Sequence, residues 1–95
     1  MSDRDAYVEK MKANIDEWNA EIDKLQASAK EAQADAKIEY EKQLVELRKQ
    51  RDEGQAKMKE ALEASDSAWD DMSKGLQTAW DSISDSFQSA MKRFR

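Results

Sequence analysis

An 11-residue unit occurs twice in succession near the C-terminus: residues 67–77 read SAWDDMSKGLQ and residues 78–88 read TAWDSISDSFQ. A partial third copy follows as Ser89-Ala90-Met91-Lys92-Arg93-Phe94. Eleven residues make almost three α-helical turns, so equivalent positions return to one side of a helix. That side collects Trp69, Met72, Leu76, Trp80, Ile83, Phe87, Met91 and Phe94, while the other is Ser, Asp, Gln and Lys74. Strands alternate side chains every second residue and cannot sort the unit this way. The segment is therefore expected to be an amphipathic helix with an aromatic stripe that needs a cover. Its many Ser and Asp residues lower intrinsic helicity, so it should be ordered by contact and frayed when free. The cover can be another copy of the chain or its own first part, a groove on a different protein, or a lipid interface.

Residues 4–63 carry a second pattern. Val8, Met11, Ile15, Trp18, Ile22, Leu25, Ala29, Ala32 and Ala36 recur at three-four spacing, which is a helical heptad seam. The stripe then steps by four to Tyr40 and Leu44 and resumes through Leu47, Arg51, Gly54, Met58 and Ala61. β-branched Val8, Ile15 and Ile22 at one core position, with Met11, Trp18 and Leu25 at the other, suit two parallel strands. The alanines that follow suit close antiparallel approach equally well. Charged pairs such as Glu9/Lys12, Glu39/Lys42 and Glu53/Lys57 mark a solvated outer face.

The two parts differ in composition. All ten glutamates lie at or before Glu63, and seven of the nine serines lie in residues 65–95. Two segments follow, a heptad segment over 1–64 and an 11-residue-repeat segment over 65–95. Ser67 and Asp70 have capping-box spacing, with Asp in place of Glu, so a new helix can start there. Arg51-Asp52-Glu53-Gly54 is the candidate turn.

The fold class expected is all-α: an elongated coiled coil, with one long helix over about 4–63 that continues or bends near 65–67 into a second helix over about 67–93. Sixty helical residues would reach about 90 Å. The alternative is a helical hairpin turning near Gly54, which would set Ala29, Ala32 and Ala36 near Leu76, Met72 and Trp69, and Ile22 near Ile83.

Composition excludes more than it assigns. The net charge is −5 and no histidine or cysteine is present. That removes thiol chemistry, disulfides and the commonest metal ligand and general base. No nucleophile–base motif occurs, and the only glycines, Gly54 and Gly75, make no phosphate loop. Asp16-Glu17 and Asp70-Asp71 lack a looped ligand set for a cation. Tyr7, Tyr40 and the tryptophans lack the basic groove that base stacking accompanies. Lys92, Arg93 and Arg95 complement the dipole at a helix C-terminus, or touch anionic headgroups. The polar start Met1-Ser2-Asp3-Arg4-Asp5 does not read as a secretory signal, and no apolar run has the length of a membrane span. The expectation is a cytoplasmic, non-catalytic protein, in one reading peripheral to a membrane, with no cofactor, metal, nucleic acid or small-molecule substrate.

Asp5-Ala6-Tyr7-Val8-Glu9-Lys10-Met11-Lys12, Asp16-Glu17-Trp18-Asn19-Ala20-Glu21-Ile22 and Ala36-Lys37-Ile38-Glu39-Tyr40, with the Ala-Trp-Asp repeat, resemble a group of small bacterial coiled-coil proteins. The resemblance covers most of the chain. It implies a bacterial source and a helical fold, and it carries no biochemical activity. The 11-residue repeat is also similar in style to those of apolipoproteins and desiccation-protective proteins. Two function classes follow. One is a self-associating scaffold or accessory protein that uses the seam from Val8 to Leu47 for its oligomer and docks through the stripe from Trp69 to Phe94. The other is a lipid-surface protein with a protective role.

Overall fold

The computed structural model describes residues 3–93. Phe94 and Arg95, which the sequence places in the stripe and in the basic tip, lie outside the described residues. Three helices follow one another: α1 (Asp3–Glu31), α2 (Ala34–Glu63) and α3 (Asp66–Arg93). No strand occurs among the described residues. The body is elongated, 52 × 18 × 16 Å.

Each helix is of ordinary bundle length, about 45 Å at 1.5 Å per residue. The chain runs up along α1, down along α2 and up again along α3. Arg4, at the start of α1, donates to the carbonyl of Ala64, just after α2. Gln43, early in α2, reaches the last turn of α3. Consequently α1 and α3 are parallel, with α2 antiparallel to both.

The expected continuous helix over 4–63 is broken at Ala32-Gln33. Gln33 adopts an extended conformation, φ −70° and ψ 162°, with no side-chain cap. None of the usual turn residues is present. The break forms because of what it brings together. A straight rod leaves the Val8–Leu47 seam wet, whereas reversal lets three apolar faces cover one another at the cost of two residues of helix.

The expected bend near residues 65–67 is instead a full reversal through Ala64 and Ser65. Ala64 is extended, with its N–H on the Ala61 carbonyl at 3.4 Å. The cap of α3 is Ser65, not Ser67: Ser65 Oγ accepts from the N–H of Ala68 at 3.2 Å, the usual geometry for an N-cap serine. Ser67 is already inside the helix.

Gly54 does not turn the chain. It lies well inside α2 and is buried. The antiparallel order expected from a Gly54 hairpin, which set Ala29, Ala32 and Ala36 near Leu76, Met72 and Trp69, does not occur either, because α3 runs parallel to α1. Trp18 meets Trp80 and Phe87, and Tyr7 meets Trp69.

Candidate interaction surfaces

The aromatic stripe is the interior of the bundle. Trp69, Leu76, Trp80, Ile83 and Phe87 are buried, with Met72 and Met91 half-buried beside them. Opposite them lie Met11, Ile15, Trp18, Ile22 and Ala29 of α1, and Leu44, Leu47 and Ala61 of α2. The residues read as an oligomer seam and those read as a docking stripe thus cover each other within one chain. Of the options for covering the stripe, the chain's own first part is the one observed. Most residues of both sets share this one core. Val8, Leu25, Ala32 and Tyr40 are half-buried at its margin. Ala36 is exposed, because the reversal at Ala32-Gln33 turns it to solvent.

The centre of the core is a stack of rings. Trp18 lies 5.2 Å from Trp80 at an interplanar angle of 18° and 4.9 Å from Phe87 at 16°. Offset stacking of this kind adds about 0.5–1.5 kcal/mol per pair beyond area burial. α2 makes room for it at Gly54. A Cβ there would stand 2.8 Å from Trp18 Cζ3 and 3.2 Å from Trp80 Cζ3. Glycine is therefore required by close approach: the indoles lie against bare backbone. Gly75, by contrast, has nothing within 4 Å of such a Cβ.

Two side chains tie helix ends across the bundle. The last four carbonyls of a helix have no partner within it. Gln43, buried at 3% exposure, donates from Nε2 to the carbonyls of Ala90 at 3.3 Å and Met91 at 3.4 Å. Arg4 does the equivalent for α2 through Ala64, with Asp66 at 3.9 Å. A third tie joins Arg51 Nη1 to Asn19 Oδ1 at 3.0 Å. The signal for these was weak in the sequence, since Gln43, Arg4 and Asn19 sit at ordinary polar positions of helices.

Among the described residues, two buried side-chain polar atoms have no protein partner, the Tyr7 hydroxyl and Trp80 Nε1. Burial first, and then the Asp81 carboxylate, raises the Tyr7 phenol above its ordinary value of 10.0.

Compared with protein-family models, curated proteins and solved structures, the chain matches none.

Among the described residues, an apolar strip lies on the surface of α2. Ile38 is 56% exposed and Val45 62%. They lie about two turns apart on one face of α2. With Ala34, Lys37, Glu41 and Lys42 they line a single shallow concavity. Leu62, also exposed, stands apart near the end of α2. In the sequence Ile38 and Val45 lie next to the seam positions Ala36, Tyr40, Leu44 and Leu47. The structure turns them outward, because the seam proper, Leu44 and Leu47, is what α2 buries.

A groove between α1 and α3 is bordered by Glu17, Glu21, Gln88 and Lys92, but its apolar floor, Trp18 and Phe87, is already buried in the core. Among the described residues no group of three or more His, Cys, Asp or Glu side chains converges as a metal site. Nor is any helix there long and apolar enough to cross a membrane.

Proposed function

We propose that the chain is a non-catalytic helical interaction module, a scaffold or accessory protein that presents the outer face of α2 to another protein chain. The supporting observation is the pairing of Ile38 and Val45. Both are more than half exposed, adjacent on one face and rimmed by charge. Large apolar side chains gathered on a small helical body are the usual mark of a recognition face. On the opposite side of the same stretch of α2, Leu44 and Leu47 are buried in the core, so the face is held on a packed support.

The test is recovery of partners by cross-linking in the source cell with wild-type protein and with the double variant Ile38→Asp/Val45→Asp. Both positions are exposed, so circular dichroism should show the bundle unchanged. A protein recovered with wild type should be lost with the variant. Identical recovery by the two would defeat the reading.

A second reading places the chain at a lipid surface. It is favoured by α3, the most strongly amphipathic helix, whose Trp69, Trp80 and Phe87 lie on one side and whose last turn carries Lys92 and Arg93. Opening at the short connection through Ala64 and Ser65 would offer that side to a membrane interface. Liposome flotation read with tryptophan fluorescence decides it. Neither co-flotation nor a spectral shift with any lipid mixture would remove this reading.

A further inference from the structure

We propose that two copies of this chain exchange α1 across the Ala32-Gln33 reversal. In each copy α1 and α2 join into one continuous helix, and α1 packs on α2 and α3 of the other copy. The inference stands apart from the reading of the outer face of α2.

The first observation is that the reversal is made of residues that prefer helix. Lys30, Glu31, Ala32, Gln33 and Ala34 are all strong helix formers. Gln33 is extended without a side-chain cap, and the Ala32 N–H closes the end of α1 on the Ala29 carbonyl at 3.3 Å. Joining the two helices would pair the backbone groups that the break leaves without helical partners. At the second reversal Ser65 caps α3, so local chemistry there favours the turn.

The second observation is phase. On one uninterrupted helix, at about 100° per residue, the buried residues of α1, from Met11 to Ala29, and those of α2, from Gln43 to Ala61, all fall within an arc of about 100°. A turn imposes no such agreement, because two helices joined by a break can each rotate to bury any face. A continuous helix requires it, since both halves must turn one side to the same partner helix. Ile38 and Val45 fall on the opposite side and stay outermost.

The third observation is that the exchanged contacts already exist. Two such helices run antiparallel, so each half of the dimer repeats the order of the closed bundle, with α1 antiparallel to α2 and parallel to α3. Trp18 would meet Gly54 and Trp80 of the second copy, and Asn19 would meet its Arg51. The core is the same in both forms, which differ at the hinge. Closure within one chain through a short link competes at an effective concentration of roughly millimolar order. The dimer should therefore gain as chains refold at higher concentration.

The experiment refolds the full chain from urea at about 10 μM and at about 1 mM and separates the products by size exclusion with light scattering. The dilute sample should have the mass of one chain. The concentrated sample should contain a second species of two chains, longer than the 52 Å monomer. Ala34→Pro tests the hinge. In the closed bundle Ala34 is the first residue of α2, where proline is favoured, and the extended Gln33 before it suits proline too. In a continuous helix the same proline lies in the interior, where it removes a hydrogen bond and clashes with the preceding turn. The variant should fold as a monomer and raise the dimer dissociation constant by about a hundredfold or more.

The chain has no cysteine, so spin labels on Asp16→Cys/Glu53→Cys read the exchange directly. Both positions are exposed. In the closed bundle they lie side by side, near the Asn19–Arg51 contact, with the labels less than about 25 Å apart. In a continuous helix they stand about 55 Å apart. Doubly labelled chains refolded at high concentration with a large excess of unlabelled chain should show the long distance in the dimer and the short one in the monomer.

A concentrated sample that stays at the mass of one chain would overturn the proposal. So would Ala34→Pro dimerising as wild type does, or a dimer with only the short label distance, which is association of closed bundles. The label distance needs no proline, so it decides alone if Ala34→Pro does not fold.

Discussion

Trp18 overhangs Gly54 so closely that a methyl group on Gly54 would stand 2.8 Å from the edge of the indole. This contact explains why a helix-weakening residue sits in the middle of α2. It also separates the two glycines of the chain.

Gly54→Ala should destabilise the bundle. The gain in helix propensity, about 1 kcal/mol, is opposed by overpacking against two rings, which costs about 1–3 kcal/mol or more in a filled core. Gly75→Ala meets open space and should stabilise by about 1 kcal/mol. Urea denaturation of the two variants should show midpoints moving in opposite directions. A Gly54→Ala midpoint above wild type would mean that the rings yield freely.

Gln33 starts α2 without a side-chain cap, and Ser65 starts α3 with one. Gln33→Ser should therefore add roughly 1 kcal/mol of stability, and Ser65→Ala should remove about the same. Thermal unfolding followed at 222 nm checks both (the wavelength being about that of the helical amide band). Equal and null effects would show that neither reversal depends on capping.

Gln43→Ala leaves the carbonyls of Ala90 and Met91 without their cross-bundle donor. The expected cost is about 1–3 kcal/mol. Its signature is local: amide exchange in the last turns of α3 should accelerate more than exchange in α1. Uniform acceleration along the chain would contradict the role given to Gln43.

Tyr7 should make the bundle alkali-sensitive. The folded state holds its phenol above 10.0, so the unfolded chain loses its proton first as the pH rises. Stability is full below about pH 10 and falls as the pH passes through the folded value. Tyr7→Phe should flatten this fall. Near neutral pH the same change should not lower the melting temperature, because it removes a buried hydroxyl that has no protein partner. A wild-type midpoint that stays level on both sides of pH 10 would contradict the assignment.

The helices themselves were legible because apolar spacing reports which residues share a face. Met11, Ile15, Trp18 and Ile22 of the first stripe are buried, and so are Trp69, Leu76, Trp80, Ile83 and Phe87 of the second, while Val8 and Leu25 are half-buried and Ala36 is exposed. What spacing cannot report is which face meets which. The reversal at Ala32-Gln33 uses helix-favouring residues throughout, so local propensity points the wrong way there, and tertiary burial decides. Gly54 misled for the converse reason: glycine marks both turns and close approaches, and only the neighbouring rings tell them apart. The outer face of α2 was obscured because Ile38 and Val45 look like the margin of a seam until the neighbouring helices have taken their places.

The odd number of helices has a mechanical consequence. Asp3 and Arg93 belong to parallel helices and stand at opposite poles of a body 52 Å long. Tension applied through those two poles would slide α1 and α3 past each other lengthwise. The interlocked rings of Trp18, Trp80 and Phe87 would then resist together, in shear, rather than peel apart one at a time.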